Sequence, residues 1–555
     1  TSLDVEAACA AHGVVAVWHA RDLPRGLLPM GIYAPPGASY PAIVEPMPID
    51  VVRFAGDLVA MVVATSRAAA EDACELIEVT FDALSPVATI DQALDPASTP
   101  VFAELGTNLV YDQHYTYGDP AAAFGRAARI VHRSLRQSRH ANLPMEGRAG
   151  LAVYDAGRGD LVYHAAHQNP HALRVGIGAQ LDLPLDKLIV RCLDIGGSFG
   201  QKAYPAREDM LVCAAARHLE RPVKWIEDRV ENLIAAGHAR DEVMEVDAAV
   251  DADGRVLGVR VTMTLDQGAY PLGTLPSTVY PSLVRVLFPG PYAIEHMEFN
   301  ARIVTTNKAS YIAYRGPWEA ETWTRERMLD AIATDLDLDP VEIRRRNLLP
   351  LDAYPRRMIT GPTQEHIGVN LTFEEVVARL DLPALRAEHD ELRRQGVYRG
   401  VGLAVVVEAA PGGPDYGPSL GAGRSPRGAQ QAVTRLEPDG RVTVFTSQNP
   451  HGQGHHTTLA QLAADRLGVP FESVGVIAGD TSLTPFNLVS TGGSRAATLA
   501  SGAVLGAATE LRAKVLDVAS EMLEASADDL EIVDGVISVR GVPSVTLTLR
   551  DVARV

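Results

Sequence analysis

Residues 188 to 202 read Leu-Ile-Val-Arg-Cys-Leu-Asp-Ile-Gly-Gly-Ser-Phe-Gly-Gln-Lys. An apolar run, Leu188 to Ile195, predicts a strand. It feeds a loop of small residues, Gly196 to Lys202, and after Pro205 the pattern predicts a helix over Ala206 to Leu219. The same device, a glycine loop feeding a helix, recurs twice. A predicted strand over Arg441 to Ser447 leads to Gly452-Gln453-Gly454-His455-His456, then to a helix whose apolar positions Leu459, Leu462, Ala463 and Leu467 keep helical spacing and stop at Gly468. Thr491-Gly492-Gly493-Ser494-Arg495 opens a predicted helix from Ala496 to Leu523. Glycine lets backbone N–H groups approach a ligand, and a helix N-terminus adds free donors with a partial positive charge, so such loops suit anionic phosphates. One such loop is more often a plain turn. Three in one chain, one of them carrying Arg495, point to an extended anionic cofactor. None supplies the Lys of a P-loop or a full G-x-G-x-x-G, which excludes a simple nucleoside triphosphate and an ordinary nicotinamide dinucleotide.

Around these units the chain reads as an α+β protein of several domains. Residues 1–95 form a first small unit. Strands are predicted over Val51 to Phe54 and Leu58 to Val63, parted by Gly56-Asp57; Ser66 caps a helix reaching Ile77, and a strand returns over Val79 to Phe81. Residues 115–350 form a second unit, with strands near Leu151 to Val153 and Leu161 to Ala165 and a helix over Glu319 to Thr334. The Pro- and Gly-containing stretch Leu351 to Asn370 is the candidate boundary. Thr372 and Glu375 then read as a capping box opening a third unit, 371–555, within which Pro411 to Gly428 is loop.

Composition narrows the chemistry. With 50 Lys+Arg against 69 Asp+Glu the formal charge is −19 over 555 residues, and the cations form no run, which excludes nucleic acid and anionic membranes as partners. Cys9, Cys74, Cys192 and Cys213 are scattered without a C-x-x-C pair, against a disulfide framework, an iron–sulfur ligand set or a Cys-rich zinc site. The charge-free stretch Ala496 to Thr509 falls short of the roughly 20 apolar residues of a membrane span. No secretory pattern follows Thr1, so the expectation is a cytoplasmic protein.

Two local motifs admit other readings. Gly196 to Gly200 satisfies G-x-S-x-G between strand and helix, the setting of a nucleophile elbow, so a serine hydrolase acting through Ser198 is the rival. His451, His455 and His456 resemble a metal cluster, but Gly452 and Gly454 argue against the helix that would align them, and a polar loop is favoured.

Taken in order, His-Gln-Asn-Pro containing Gln168, Gly-Gly-Ser-Phe-Gly-Gln-Lys at 196–202, Ala-Tyr-Arg-Gly at 313–316, Asp-Pro-Val-Glu-Ile-Arg-Arg-Arg-Asn-Leu at 339–348, Gly-Gln-Gly-His-His-Thr at 452–457 and Thr-Gly-Gly-Ser-Arg at 491–495 resemble the molybdenum-binding large subunit of the xanthine oxidase family, carbon monoxide dehydrogenase large subunits included. Gly13 to Val17 and Val52 to Asp57 are similar to that family's small α/β hammerhead domain. The resemblance implies a hammerhead domain at 1–95, lacking its N-terminal part, then two large mixed α+β molybdopterin-binding domains at 115–350 and 371–555, the last incomplete.

It also implies a molybdenum hydroxylase. Molybdenum would be held through the dithiolene of a molybdopterin, extended as a cytosine dinucleotide, with no side chain ligating the metal. By motif matching, Gln168 lies near the metal. Gly197, Ser198, Phe199 and Gly200 border the cofactor, Arg315 supports the pterin, and Gln453, Gly454 and His455, with Thr491, Gly492, Gly493, Ser494 and Arg495, hold pterin, phosphates or nucleotide. The family's general-base glutamate has no counterpart up to position 555, and Glu408 has no motif claim to that role. The substrate would be an N-heteroaromatic or an aldehyde; carbon monoxide is set aside because Gly316 stands where carbon monoxide dehydrogenases carry a copper-site Cys. Electrons would leave through a small [2Fe–2S] subunit and a medium FAD subunit, in a dimer of heterotrimers. A non-catalytic carrier or assembly fragment is the remaining alternative.

Overall fold

The computed structural model describes residues 2–24, 27–28, 30–31, 38–39, 43–271, 279–314, 316, 319–365, 367–408 and 430–555. Its first region pairs the strand Ser2–Asp4 with Glu78–Thr80 and Val14–His19 with Ala60–Ala64, both antiparallel. The helices Glu6–Ala10 and Arg67–Glu75 pack beside them around Ala8, Val17 and Ala73. Ser66 caps the second helix as expected, accepting from the Ala69 N–H at 3.2 Å. The strand expected over Val51 to Phe54 does not form. There the Arg53 N–H turns back to Asp57 Oδ2, 3.0 Å away, and the Arg53 guanidinium lies 4.3 Å over the Phe102 ring. Asp57 is buried and clamps the first region to the second: Arg207 Nη2 donates to its Oδ1 and the Tyr270 hydroxyl to its Oδ2, each at 2.8 Å.

Next come two sheets. One has five strands in the order Leu109–Tyr117, Met297–Val304, Val256–Asp266, Glu242–Val250, Arg129–Gln137, with only Val256–Asp266 and Met297–Val304 parallel. The helices Tyr280–Leu287 and Glu319–Asp335 pack on it over a core that includes Val261, Met263, Phe299 and Ile332, and Phe373, Leu382 and Val405 from farther along the chain share that core. The 339–348 motif serves this core. Asp339 caps the helix Pro340–Asn347, Arg344 is fully buried with its Nε 2.8 Å from Glu326, and Asn347 Oδ1 accepts from the Val256 N–H. The expected capping box at Thr372 is not one: the helix Val369–Leu380 begins three residues earlier, after Gly368, and the Thr372 hydroxyl points back to the Gly368 carbonyl.

The other sheet has four strands in the order Leu188–Arg191, Asp160–Ala165, Ala149–Asp155, Val223–Ile226, and the helices Pro170–Gln180 and Arg207–Leu219 enclose its core of Leu161, Tyr163, Leu173, Val190 and Met210. The strand expected to reach Ile195 ends at Arg191 because its outer edge is taken by the last region of the chain. Val190 N–H donates to Thr481 Oγ1 at 2.9 Å, and Cys192 N–H to the Gly479 carbonyl at 2.7 Å. That last region holds the strands Ala432–Leu436, Val442–Thr446 and Val474–Ile477, the helices His455–Leu467 and Ser501–Leu523, and the three-stranded sheet Leu530–Val533, Val536–Val539, Val542–Thr548. Residues Ala496–Ala500, expected as plain helix, form a π-helical turn that runs into Ser501–Leu523. Among the described residues no helix is long and apolar enough to cross a membrane. The expected loop Pro411 to Gly428 lies outside the described residues.

Candidate active site

The first and second glycine-bearing segments meet the third where the four-stranded sheet abuts the last region. Gln168 follows the strand Asp160–Ala165, and Pro170 starts the helix just after it, where a missing N–H costs nothing. Its N–H donates to the Lys202 carbonyl at 3.0 Å. Its side chain, nearly buried, bridges two loops: Nε2 donates to the Thr491 carbonyl at 3.0 Å, and Oε1 accepts the hydroxyl of Ser198. Neighbouring side chains reinforce the junction. Asn169 Nδ2 donates to the Ala203 carbonyl at 2.8 Å while its Oδ1 accepts the Ser490 N–H, and Asn449 Nδ2 donates to the His167 carbonyl at 3.1 Å.

The 196–202 loop is tightly supported. Phe199 holds φ of +53°, its carbonyl accepts from Asn142 Nδ2 at 2.9 Å, and that same amide donates to the Ala313 carbonyl. Gly200 sits at φ +101°, and a Cβ there would collide with the Ala313 carbonyl oxygen. The Lys202 side chain is wholly buried, with Nζ 2.6 Å from Glu146 Oε2, and the same carboxylate oxygen accepts the Gly196 N–H at 2.9 Å. Burial pulls the Lys202 amine below its ordinary range, and Glu146 opposes that shift.

The 452–455 loop is built differently. Gly454, at φ +75°, ends a turn and starts the helix His455–Leu467, whose N-terminus has no side-chain cap; among the described residues a Cβ on Gly452 or Gly454 would meet nothing within 4 Å. Gln453 folds back on His451, taking the His451 N–H on Oε1 and placing Nε2 2.9 Å from the ring. Burial holds the His451 imidazole down at about 4, and His455 is lowered by the same cause, so both are neutral at pH 7. An uncapped helix N-terminus opening onto free space fits an anionic cofactor segment. In the third loop Ser494 holds φ of +61° and its hydroxyl lies 3.3 Å from Glu408 Oε1. Among the described residues a Cβ on Gly492 would have Gln168 Nε2, at 4.0 Å, as its sole neighbour.

Gln168, Ser198, Thr491 and Gly492 are thus brought together, with Phe199 and Gly200 on the same loop. Arg315, expected beside them, lies outside the described residues. Ser198 is no elbow nucleophile: it is 0% exposed and its hydroxyl is given to the Gln168 amide oxygen. Among the described residues no three His, Cys, Asp or Glu side chains gather as a metal-ligand set. Glu146, Asn142 and Asn449 carried no sequence motif.

Comparison with known proteins agrees with this geometry. Residues 101–348 and 375–555 each match the molybdopterin cofactor-binding domain family, and residues 1–85 match the aldehyde oxidase and xanthine dehydrogenase a/b hammerhead domain. The chain is 35% identical to the nicotine 6-hydroxylase large subunit of Paenarthrobacter nicotinovorans, over 100% of its own length and 67% of that protein's. It is 32% identical to the carbon monoxide dehydrogenase large chain of Hydrogenophaga pseudoflava, over 99% and 69%. The structure of quinoline 2-oxidoreductase from Pseudomonas putida 86 superposes with a TM-score of 0.91 at 34% identity, covering 100% of this chain and 70% of that one. With its loops, its domains and its relatives in agreement, this chain belongs to the large subunits of the xanthine oxidase family, the molybdopterin-binding catalytic subunits of molybdenum-dependent oxidoreductases.

Proposed function

We propose that this chain is the catalytic subunit of a hydroxylase that oxidises a carbon beside the nitrogen of an N-heteroaromatic ring, using oxygen derived from water. The observation that carries the reading is the meeting of Gln168, Ser198 and Thr491 beside Gly492, around which no other described residue crowds. Two relatives in the mid-thirties of percent identity are named for nicotine and quinoline, both N-heteroaromatic, and this favours such a ring over the aldehyde alternative. Gly316, at φ +88° and without a side chain, offers no sulfur to a copper site, which sets carbon monoxide aside.

The cofactor of this reading is molybdopterin cytosine dinucleotide; when bound, it supplies the two-electron oxidation and the activation of water. The chain's own residues bind and orient. Gln453, Gly454 and His455 receive the phosphates at the open helix N-terminus, and Thr491 to Arg495 hold the pterin side. Phe199 and Gly200 would border the cofactor, and Gln168 would offer its amide near the metal. A small [2Fe–2S] subunit and a medium FAD subunit take the electrons, in a dimer of heterotrimers. The four free thiols suit a reducing, cytoplasmic setting.

The test is to purify the natively expressed complex and measure its metal, its released nucleotide and its turnover of quinoline in ¹⁸O-labelled water. Molybdenum near one per chain, a cytidine nucleotide and labelled product are expected. A complex without molybdenum or nucleotide overturns the cofactor, and a loaded complex that oxidises aldehydes but no ring nitrogen heterocycle overturns the substrate class.

A further inference from the structure

The polar chain through Ser198 has a direction that its neighbours impose. The Ser198 oxygen accepts the Lys202 backbone N–H at 3.2 Å, one turn further along the loop. A hydroxyl carries one proton and two lone pairs: one lone pair takes the Lys202 N–H, and the proton is given to the Gln168 amide oxygen. On the far side the amide faces the Thr491 carbonyl at 3.0 Å, which can only accept, so the atom there must be the NH2 group. Both neighbours select the same one of the two amide orientations. Flipping it would set two carbonyl oxygens against each other at Thr491 and waste the hydroxyl. Among the described residues one N–H of Nε2 stays uncommitted beside Gly492, where even a Cβ would find no other neighbour within 4 Å.

We propose that Ser198 is a positioning residue that locks the Gln168 amide with its N–H, not its oxygen, toward the bound cofactor. This rests on the reading above that Gln168 faces the molybdenum centre. Ser198 touches neither substrate nor cofactor: it is fully buried and acts through Gln168. Without its hydroxyl the amide oxygen loses its donor and the Thr491 carbonyl alone holds the amide, so the N–H offered to the cofactor is held less firmly, and in the flipped orientation an acceptor would replace it. The distinction matters because a donor stabilises negative charge that builds up beside it and an acceptor opposes it.

The experiment uses the purified holo complex carrying Ser198→Ala, Ser198→Cys, Ser198→Thr or Gln168→Ala, each normalised to bound molybdenum. Two readouts are compared: kcat and KM with the heteroaromatic substrate, and the Mo(V) electron paramagnetic resonance signal of the dithionite-reduced complex, which needs no turnover. S198A is expected to lower kcat roughly five- to tenfold at unchanged KM, the worth of one buried hydrogen bond, and to shift the Mo(V) signal. S198C keeps the volume with a weaker donor and falls between. S198T keeps the hydroxyl and returns both readouts to wild type. A wild-type signal and kcat in S198A and S198C, with a shifted signal in Q168A, overturns the role of Ser198 alone. An unshifted signal in Q168A overturns the placement of Gln168 at the metal, and the proposal with it.

Discussion

The loops at 196–202 and 452–455 are written in the same small residues, yet the fold uses them in opposite ways. In the first, glycine makes room for protein: a Cβ on Gly196 would come within 2.6 Å of the Glu146 Cβ, and one on Gly200 would enter the Ala313 carbonyl. In the second, a Cβ on either glycine meets nothing among the described residues, which is the room the proposed cofactor needs. A crowded glycine loop is a wall and an open one a berth. Composition cannot tell them apart, because what differs is the backbone arriving from elsewhere in the chain.

The largest effect tests the wall. Gly200→Ala combines left-handed strain with a backbone collision, and is expected to cost about 4 kcal/mol, read as the urea midpoint. A loss below about 1 kcal/mol would mean that the Ala313 segment yields, and that the loop is not walled in. Next comes Glu146→Gln, which keeps an acceptor for the Gly196 N–H but strands the buried Lys202 ammonium. Roughly 3 kcal/mol is expected, recovered in part at high pH as the lysine sheds its proton.

At the berth, Gly454→Ala should cost only about 1 kcal/mol of stability, from φ +75° alone. Its signature is different, a fall of at least about tenfold in retained nucleotide with the fold intact. Equal loss of stability in G200A and G454A would erase the contrast. The smallest effect is on pH dependence. His451 titrates at about 4 in the folded chain, below its ordinary value of 6.5. The unfolded chain therefore takes up a proton first, and this residue's share of stability falls as pH drops through 6.5 toward 4. His451→Ala should leave the thermal midpoint near pH 7 little changed and flatten its decline between pH 7 and pH 5.

Much of the scaffold could be read from periodicity. The helices at Arg207–Leu219, Glu319–Asp335 and His455–Leu467 stand where spacing, caps and a terminating glycine put them. The misses share one cause. Val51 to Phe54 has a strand's composition, but its polar groups serve a clamp through Asp57 onto Arg207 and Tyr270, 150 and 213 residues away. Leu188 to Ile195 is cut short at Arg191 by Thr481 and Gly479, and Thr372 lost its cap to a helix already begun. The motifs located Gln168, Ser198 and Thr491 one by one. That Ser198 serves the Gln168 amide needed the hydrogen-bond directions, which depend on backbone atoms of Lys202 and Thr491 that no residue type announces.

The bond from Gln168 to Thr491 joins positions 323 residues apart, and those of Asn169 to Ser490 and Asn449 to His167 span 321 and 282. At a synthesis rate of about 5–20 residues per second, Gln168 leaves the ribosome roughly 16 to 65 s before its partner exists. The four-stranded sheet can close in that interval, but the cradle cannot. A cofactor bound across this cradle would therefore find its site complete only after the chain has been made as far as Thr491.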